Sequence, residues 1–190
     1  MKNRVDSIFK EALELHSKLT ELVPVITEAA SVMIDCIKNG GKIMFAGNGG
    51  SAADSQHLAA ELVGRFMKDR IPLAGMALTT NTSIITAVAN DYSFDDIFSR
   101  QVLGLGKQGD IFFGISTSGN SPNILKAIES ARSAGIITIG LTGNGGGKMA
   151  QAVDYLIDVP YKGKSARIQE VHILIGHILC ELIEDAVLSV

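Results

Sequence analysis

The segment from Ile111 to Leu125, IFFGISTSGNSPNIL, limits the possible folds more than any other part of the chain. It opens with a short apolar run, Ile111 to Ile115, which is typical of a buried strand. A helical pattern begins at Ile124, and Ser121 followed by Pro122 predicts the N-cap and first residue of that helix. The segment therefore predicts a strand that passes through a short polar loop directly into a helix.

The loop inside this segment, STSGNS, carries four hydroxyl groups in six residues. A strand-to-helix junction offers free backbone N–H groups and the positive end of a helix dipole. With added hydroxyl donors, such a junction can bind a phosphate group. The alternative is a capped loop rich in turn-forming residues, but a cap needs only one hydroxyl. The candidate phosphate ligands are Ser116, Thr117, Ser118 and Ser121.

The same alternation of apolar runs and helical patterns extends along the chain. The predicted strands are 42–47, 74–78, 110–115, 136–142 and 155–159. The predicted helices that follow the first strand are 52–66, 81–89, 94–105, 122–134, a short one near Met149, and 166–188. Five strands that alternate with helices through short connections predict a parallel sheet with helices on both faces, an αβα sandwich. A ligand is then expected at the carboxyl ends of the strands, where the strand order switches.

Residues 3–38 predict helix with a break near Pro24, and no strand precedes them. Their apolar positions form a stripe with no sheet of its own to cover, so these helices must cap the sheet or pair with another subunit. We therefore interpret residues 1–190 as one domain in which 1–39 is a helical extension that supports oligomerisation.

A second glycine-rich turn follows the first strand of the sheet, at Asn48, Gly49 and Gly50. Glycines there would let the backbone approach a phosphate or sugar ligand closely. The turn does not match the P-loop or the dinucleotide-binding pattern.

Two helices carry residue types that bind metals or move protons. His57 and Glu61 lie four residues apart, on one face of the helix after the glycine turn. The last helix carries Gln169 and His177, which are about 12 Å apart along an ideal helix. A single histidine would more often be a core or interface residue, but two histidines, a glutamate and a glutamine could hold a divalent metal. Gln169 and His177 could share one ion only if both side chains lean inward, or if they come from different copies of the helix.

Composition narrows the function classes. The net charge is −3 and no long basic run is present, which argues against nucleic-acid binding. Cys36 and Cys180 fall in apolar helical patterns, as expected of reduced core thiols. The first residues contain no apolar signal segment, and no run reaches the length of a membrane span. We expect a soluble cytoplasmic protein.

Five motifs follow one another along the chain: NGGSAADSQHLAAELVGRF, AVANDYSFDDIFSRQV, GDIFFGISTSGNSPNILKAI, LTGNGGGKMA and ARIQEVHILIGHILCELIE. Together they resemble the phosphoheptose isomerases of the sugar isomerase (SIS) domain superfamily, over essentially the whole chain. The resemblance implies interconversion of sedoheptulose 7-phosphate and D-glycero-D-manno-heptose 7-phosphate, an early step towards the nucleotide-activated heptose of bacterial lipopolysaccharide and other surface polysaccharides. It also implies a homotetramer with active sites at subunit interfaces.

The resemblance further implies one zinc ion per subunit, held by His57, Glu61, Gln169 and His177. Glu61 would be the catalytic base and His177 its acid/base partner in an enediol mechanism. The implied substrate contacts are Asn48, Gly49, Gly50, Glu61, Asn90, Asp91, Ser116, Thr117, Ser118, Ser121 and Gln169. One departure is Ala166, because some members carry an acidic residue at this position, and any role of that acid cannot be transferred.

Two other functions remain open from the sequence. A non-enzymatic relative binds the replication initiator DnaA and keeps the glycine and serine loops, but lacks the residues that match Glu61 and His177. The presence of both residues here favours the enzyme. The other alternative is a sugar-phosphate-sensing SIS module like those fused to transcription regulators, but no DNA-binding domain is attached to residues 1–190.

Overall fold

The computed structural model describes residues 1–188, which form a five-stranded parallel sheet with helices on both faces. The strands, in chain order, are β1 (Ile43–Gly47), β2 (Gly75–Ala77), β3 (Ile111–Ser116), β4 (Ile137–Gly143) and β5 (Tyr155–Val159). Their order across the sheet is β2-β1-β3-β4-β5, and every neighbouring pair is parallel. The predicted fold class and strand number are therefore confirmed.

The helices, in chain order, are α1 (Lys2–His16), α2 (Val23–Lys38), α3 (Gly50–Val63), α4 (Thr82–Asp91), α5 (Ser99–Leu105), α6 (Pro122–Ser133) and α7 (Ser165–Leu188). Short 3₁₀ turns cover Leu19–Leu22, Phe94–Asp96 and Gly147–Gln151. In the part of the chain described by the structure, no helix is long and apolar enough to cross a lipid bilayer.

The core has two layers because successive side chains of a strand point to opposite faces of the sheet. On β1, Phe45 packs with α2, α3 and α7, whereas Met44 packs with α4, α5 and α6. Phe113 and Phe112 on β3 divide in the same way. The central strands β1, β3 and β4 are buried on both faces, so they read as nearly continuous apolar runs rather than as alternating ones. The edge strands β2 and β5 are only partly buried.

The strand order switches at β1. From β1 the chain moves outward to β2, then returns to the other side of β1 as β3. Parallel strands end at the same edge of a sheet, so the loops after β1 and β3 are neighbours at the carboxyl edge. Reciprocal hydrogen bonds between the side-chain amides of Asn48 and Asn123, at 2.8 and 2.9 Å, join the two loops.

The helix boundaries differ from the predicted ones at several places. α3 ends at Val63 rather than at 66, and the predicted helix 94–105 is divided into the 3₁₀ turn Phe94–Asp96 and α5. The glycine turn is shorter than predicted, because α3 already begins at Gly50. Asn90 and Asp91 are the last two residues of α4 rather than the residues that follow it. The break between α1 and α2 lies at 17–22, ahead of Pro24, which occupies the first turn of α2, a position where the missing N–H of proline costs nothing.

Candidate active site

The helices α3 and α7 lie side by side and run in the same direction. Gln169 contacts Gly50 near the start of both helices, and Leu58 contacts Gly176 further along. A Cβ atom at Gly176 would lie 2.5 Å from Cδ2 of Leu58, so a larger residue there would require the Leu58 side chain to shift. The two helices thereby present their polar side chains to a shared surface.

Three of the predicted metal-binding and catalytic residues meet on this surface. Nε2 of His57 lies 2.9 Å from Oε1 of Glu61 and 3.2 Å from Nε2 of His177. The donor atoms of all three side chains lie within 4.8 Å of one another. The His57 side chain is 45% exposed and that of Glu61 is 24% exposed, so the group faces solvent and is open to a ligand.

The chemistry of these donors fits a divalent metal. Tetrahedral zinc ligands about 2.0–2.1 Å from the ion lie roughly 3.3 Å from each other, close to the spacing found here. Nε2 of His57 can carry only one hydrogen, which would have to be shared between hydrogen bonds to Glu61 and to His177. A metal ion instead accepts a lone pair from each of the three groups. Two imidazoles and a carboxylate form one of the three-residue sets that leave a position open on zinc.

Gln169 does not join this group within one protomer. Its side-chain amide packs against Gly50, since a Cβ atom there would lie 2.8 Å from Nε2 of Gln169. Gly50 precedes His57 by two turns of α3, roughly 10 Å along an ideal helix. Of the two arrangements left open by the sequence, an inward lean of both Gln169 and His177 is not what the structure shows.

The four predicted phosphate ligands surround the end of β3. Ser116 is its last residue, and its hydroxyl lies 2.9 Å from that of Ser121, the N-cap of α6. Oγ of Ser118 accepts a hydrogen bond from the backbone N–H of Asn120 at 3.2 Å. Ser121 makes no side-chain bond to its own helix. Pro122 has no N–H, and the N–H groups of Ile124 and Leu125 bond to the backbone oxygen of Ser121, so within the described residues the first turn of α6 offers an anion the N–H of Asn123.

A contact that the sequence did not indicate connects this loop to α7. The hydroxyl of Thr117 donates to that of Ser165, the first residue of α7, at 3.3 Å. Ser165 is separated from Thr117 by 48 positions, and nothing in the local pattern marks it as a neighbour of the serine loop.

The remaining two predicted substrate contacts, Asn90 and Asp91, are the last two residues of α4. Both are exposed at the end of α4, where the Asn90 amide donates to the Asp91 carboxylate at 2.8 Å. Within residues 1–188, neither side chain hydrogen-bonds to the glycine turn or to the serine loop.

Comparison with known proteins places this chain in a family. The SIS domain family profile matches residues 8–143, which includes β1 to β4 and both loops. A phosphoheptose isomerase of Rhodospirillum rubrum is 55% identical over 189 residues and covers 100% of both chains. One of Aquifex aeolicus is 49% identical over 188 residues, with 98% of each chain covered.

Solved structures agree with this result. The phosphoheptose isomerase of Neisseria gonorrhoeae superposes with a TM-score of 0.92 at 45% identity, over 97% of this chain and 98% of that one. The chain therefore belongs to the phosphoheptose isomerase family of SIS domain proteins. More distant likenesses, such as the Vibrio vulnificus NanR protein complexed with ManNAc-6P at 13% identity and a TM-score of 0.67, show the shared fold alone.

Proposed function

We propose that the chain interconverts sedoheptulose 7-phosphate and D-glycero-D-manno-heptose 7-phosphate in the cytoplasm, in the synthesis of activated heptose for bacterial surface polysaccharide. The observation that supports this function most directly is the convergence of His57, Glu61 and His177 in a chain 55% identical to a phosphoheptose isomerase. The DnaA-binding alternative is not favoured, because its relative lacks the counterparts of two of these residues. The sensing alternative is not favoured either, because the close relatives are named as isomerases.

Isomerisation of a ketose to an aldose moves one proton from C1 to C2 and shifts the carbonyl the other way. Glu61 removes the proton from C1 while O2 receives a proton, which gives the enediol. The same carboxyl then returns a proton to C2, and O1 loses its proton as the C1 carbonyl forms. His177 exchanges the oxygen-bound protons as the acid/base partner of Glu61.

His57, Glu61 and His177 would hold one zinc ion, and Gln169 would complete the set. When bound, the ion polarises the carbonyl and hydroxyl oxygens of the sugar. Because the Gln169 amide lies against Gly50 within one chain, we assign the fourth ligand to a second copy of α7 in a homotetramer.

The hydroxyls of Ser116, Thr117, Ser118 and Ser121 would bind the phosphate, together with the N–H of Asn123 at the start of α6. Asn48, Gly49 and Gly50 would contact the sugar beside them, and Asn90 and Asp91 would do so from a neighbouring subunit. Glu61 follows Gly50 by eleven residues of α3, roughly 16 Å along an ideal helix. This separation supports a site in which the base and the phosphate loop come from different copies. Such remote binding of the phosphate would orient the reacting carbons.

The decisive experiment is a coupled assay on sedoheptulose 7-phosphate with the wild type and Glu61→Gln. The variant keeps the size of the side chain but removes the base, so turnover should fall about 10²–10⁴-fold. A chelator should abolish wild-type turnover, and added zinc should restore it.

Glu129→Gln is the matched control, because Glu129 is an exposed glutamate on α6. It should turn over like the wild type. Near-normal turnover of a correctly assembled Glu61→Gln variant would exclude Glu61 as the base. A zinc-loaded wild type that converts no heptose phosphate would contradict the proposed function as a whole.

A further inference from the structure

A buried ion pair connects the end of α3 to the end of α7. Nε of Arg70 lies 3.1 Å from Oε2 of Glu184, and their side chains are only 1% and 2% exposed. Neither residue belongs to the His57, Glu61 and His177 group. Arg70, however, bonds to the backbone of Glu61, and Glu184 bonds to the backbone of Phe66, whose ring contacts His177.

The Arg70 guanidinium caps the carboxyl end of α3. Its Nη2 donates to the backbone oxygen of Glu61 at 2.7 Å, and its Nη1 donates to that of Leu62 at 2.9 Å. The last carbonyl groups of a helix have no partner within the helix, and a cation beside them is also favoured by the helix dipole. Arg70 therefore fixes the last turn of α3, which carries Glu61.

The Glu184 carboxylate holds the segment after α3. It accepts hydrogen bonds from three successive backbone N–H groups, those of Phe66, Met67 and Lys68, at 2.9, 2.8 and 2.7 Å. The Phe66 ring in turn lies 5.4 Å from the His177 ring, measured between centroids. Burial alone would raise the pKa of Glu184, but these N–H groups and the Arg70 charge hold that pKa below its ordinary value, so the group is ionised at neutral pH.

We infer that Arg70 and Glu184 are positioning residues, which set Glu61 against His57 and Phe66 against His177. This inference rests on the proposed function, since it assigns a role around the same site. Partners that orient the residues of a metal site typically change metal affinity or activity 10–100-fold when they are removed. A pair that served only to stabilise the fold would lower the unfolding temperature without this effect.

The test variant is Arg70→Lys, assayed at a temperature where it is fully folded. An ammonium group can still pair with Glu184, but it cannot replace the planar fork that reaches Glu61 and Leu62 at once. We expect kcat to fall about 10–100-fold. KM for the sugar phosphate should stay near the wild-type value, because the serine loop is untouched. Zinc affinity, measured by competition with a chromophoric chelator, should fall in parallel.

Glu184→Gln is a second variant that tests the other member of the ion pair. It replaces Arg70→Lys as the test of the positioning role if Arg70→Lys does not fold. The matched control is Asp110→Asn, which breaks another buried ion pair, with Lys42, at the amino end of β3. It should lower the unfolding temperature as well, but it should leave kcat and zinc affinity at wild-type values.

Two results would overturn the inference. One is a folded Arg70→Lys variant, or Glu184→Gln in its place, with wild-type kcat and zinc affinity. The other is an Asp110→Asn control that loses as much kcat for the same loss of unfolding temperature. The zinc affinity distinguishes a failure of the positioning role from a failure of the proposed isomerase function. An inactive wild type whose zinc affinity still drops in Arg70→Lys would contradict the isomerase and leave the positioning role standing.

Discussion

His172, five residues before His177 on α7, differs from the site histidines because it is completely buried. Its Nε2–H donates to the backbone oxygen of Thr142 at 3.0 Å, so Nδ1 carries a lone pair, and that atom has no partner within the described residues. Burial lowers the pKa of His172 to about 4, although the bond to Thr142 opposes the shift. This histidine is therefore neutral in the folded protein at pH 7.

A neutral buried histidine makes the stability depend on pH. The unfolded chain binds a proton at this position below a pKa of 6.5, whereas the folded chain does so only near 4. The free energy of unfolding should therefore fall as the pH drops from 6.5 to 4, by about 3 kcal/mol from this residue. His172→Gln, which retains a donor for Thr142 but cannot titrate, should show a correspondingly flatter profile.

Urea denaturation at several pH values between 4 and 7 would measure this difference. His16→Gln is the control, because His16 is exposed on α1, and its profile should run parallel to that of the wild type. Parallel profiles for His172→Gln and the wild type would refute the assignment of this pH dependence to His172.

At the scale of elements, the loop after β3 is held by the loop after β4. The backbone oxygen of Gly119 accepts a bond from the N–H of Met149 at 3.0 Å, and the Asn120 side chain accepts one from the N–H of Lys148 at 3.1 Å. Gly119 has a φ of +62°, and a Cβ atom there would lie 1.9 Å from the Gly146 oxygen. Only glycine fits where these two loops cross, so the loop that carries the serine hydroxyls is held in place by the loop after β4.

Removing two hydroxyls from this loop should weaken binding of the phosphate specifically. In Ser118→Ala/Ser121→Ala, each lost charge-assisted hydrogen bond should cost roughly 1.5–3 kcal/mol of binding energy. The affinity for sedoheptulose 7-phosphate should fall accordingly, as measured by calorimetry. The affinity for sedoheptulose without the phosphate should not change.

Ser133→Ala, at the far end of α6, is the control for this pair and should bind both sugars as the wild type does. If the double variant kept full affinity for the phosphorylated sugar, the loop would be a capped turn that does not bind the phosphate.

At the scale of the whole molecule, α1 leaves an apolar stripe uncovered. Val5, Phe9 and Leu13 recur every four residues and are 45%, 64% and 69% exposed. A second apolar surface is a groove between residues 16–27 and α7. Its apolar lining includes Leu19, Val23, Ile26, Leu174, Ile178 and Leu182. Contiguous apolar surface of this kind is typical of subunit interfaces.

We therefore expect a tetramer that the N-terminal helices hold together. Light scattering of the wild type should give four times the chain mass. Phe9→Glu places a charge in the stripe and should dissociate the tetramer, and it should also abolish turnover if the site is shared between copies. Lys10→Gln makes the same change in net charge one residue along and should remain tetrameric. An active wild-type monomer at micromolar concentration would contradict this expectation.

Local patterns were sufficient for much of the molecule. Short apolar runs predicted all five strands. The reason is clearest for β1, β3 and β4, because a strand buried on both faces must be largely apolar. The serine loop and the His57–Glu61 pair were also found from the sequence, because their members lie within one loop or one helical turn. Side chains that are neighbours along the chain remain neighbours in any fold that keeps the element intact.

The sequence alone determined which elements form and which chemical groups each one carries. Only the tertiary structure decided which of those groups meet: His177 with His57, Gln169 with Gly50 rather than with His177, Arg70 with Glu184, and Thr117 with Ser165. The two members of each contact are far apart along the chain, and whether they meet depends on the register in which α7 packs along α3. That register is set by the close approach of Leu58 to Gly176. A hydrophobic period shows that a helix has a buried face but not which turn of its partner that face will meet.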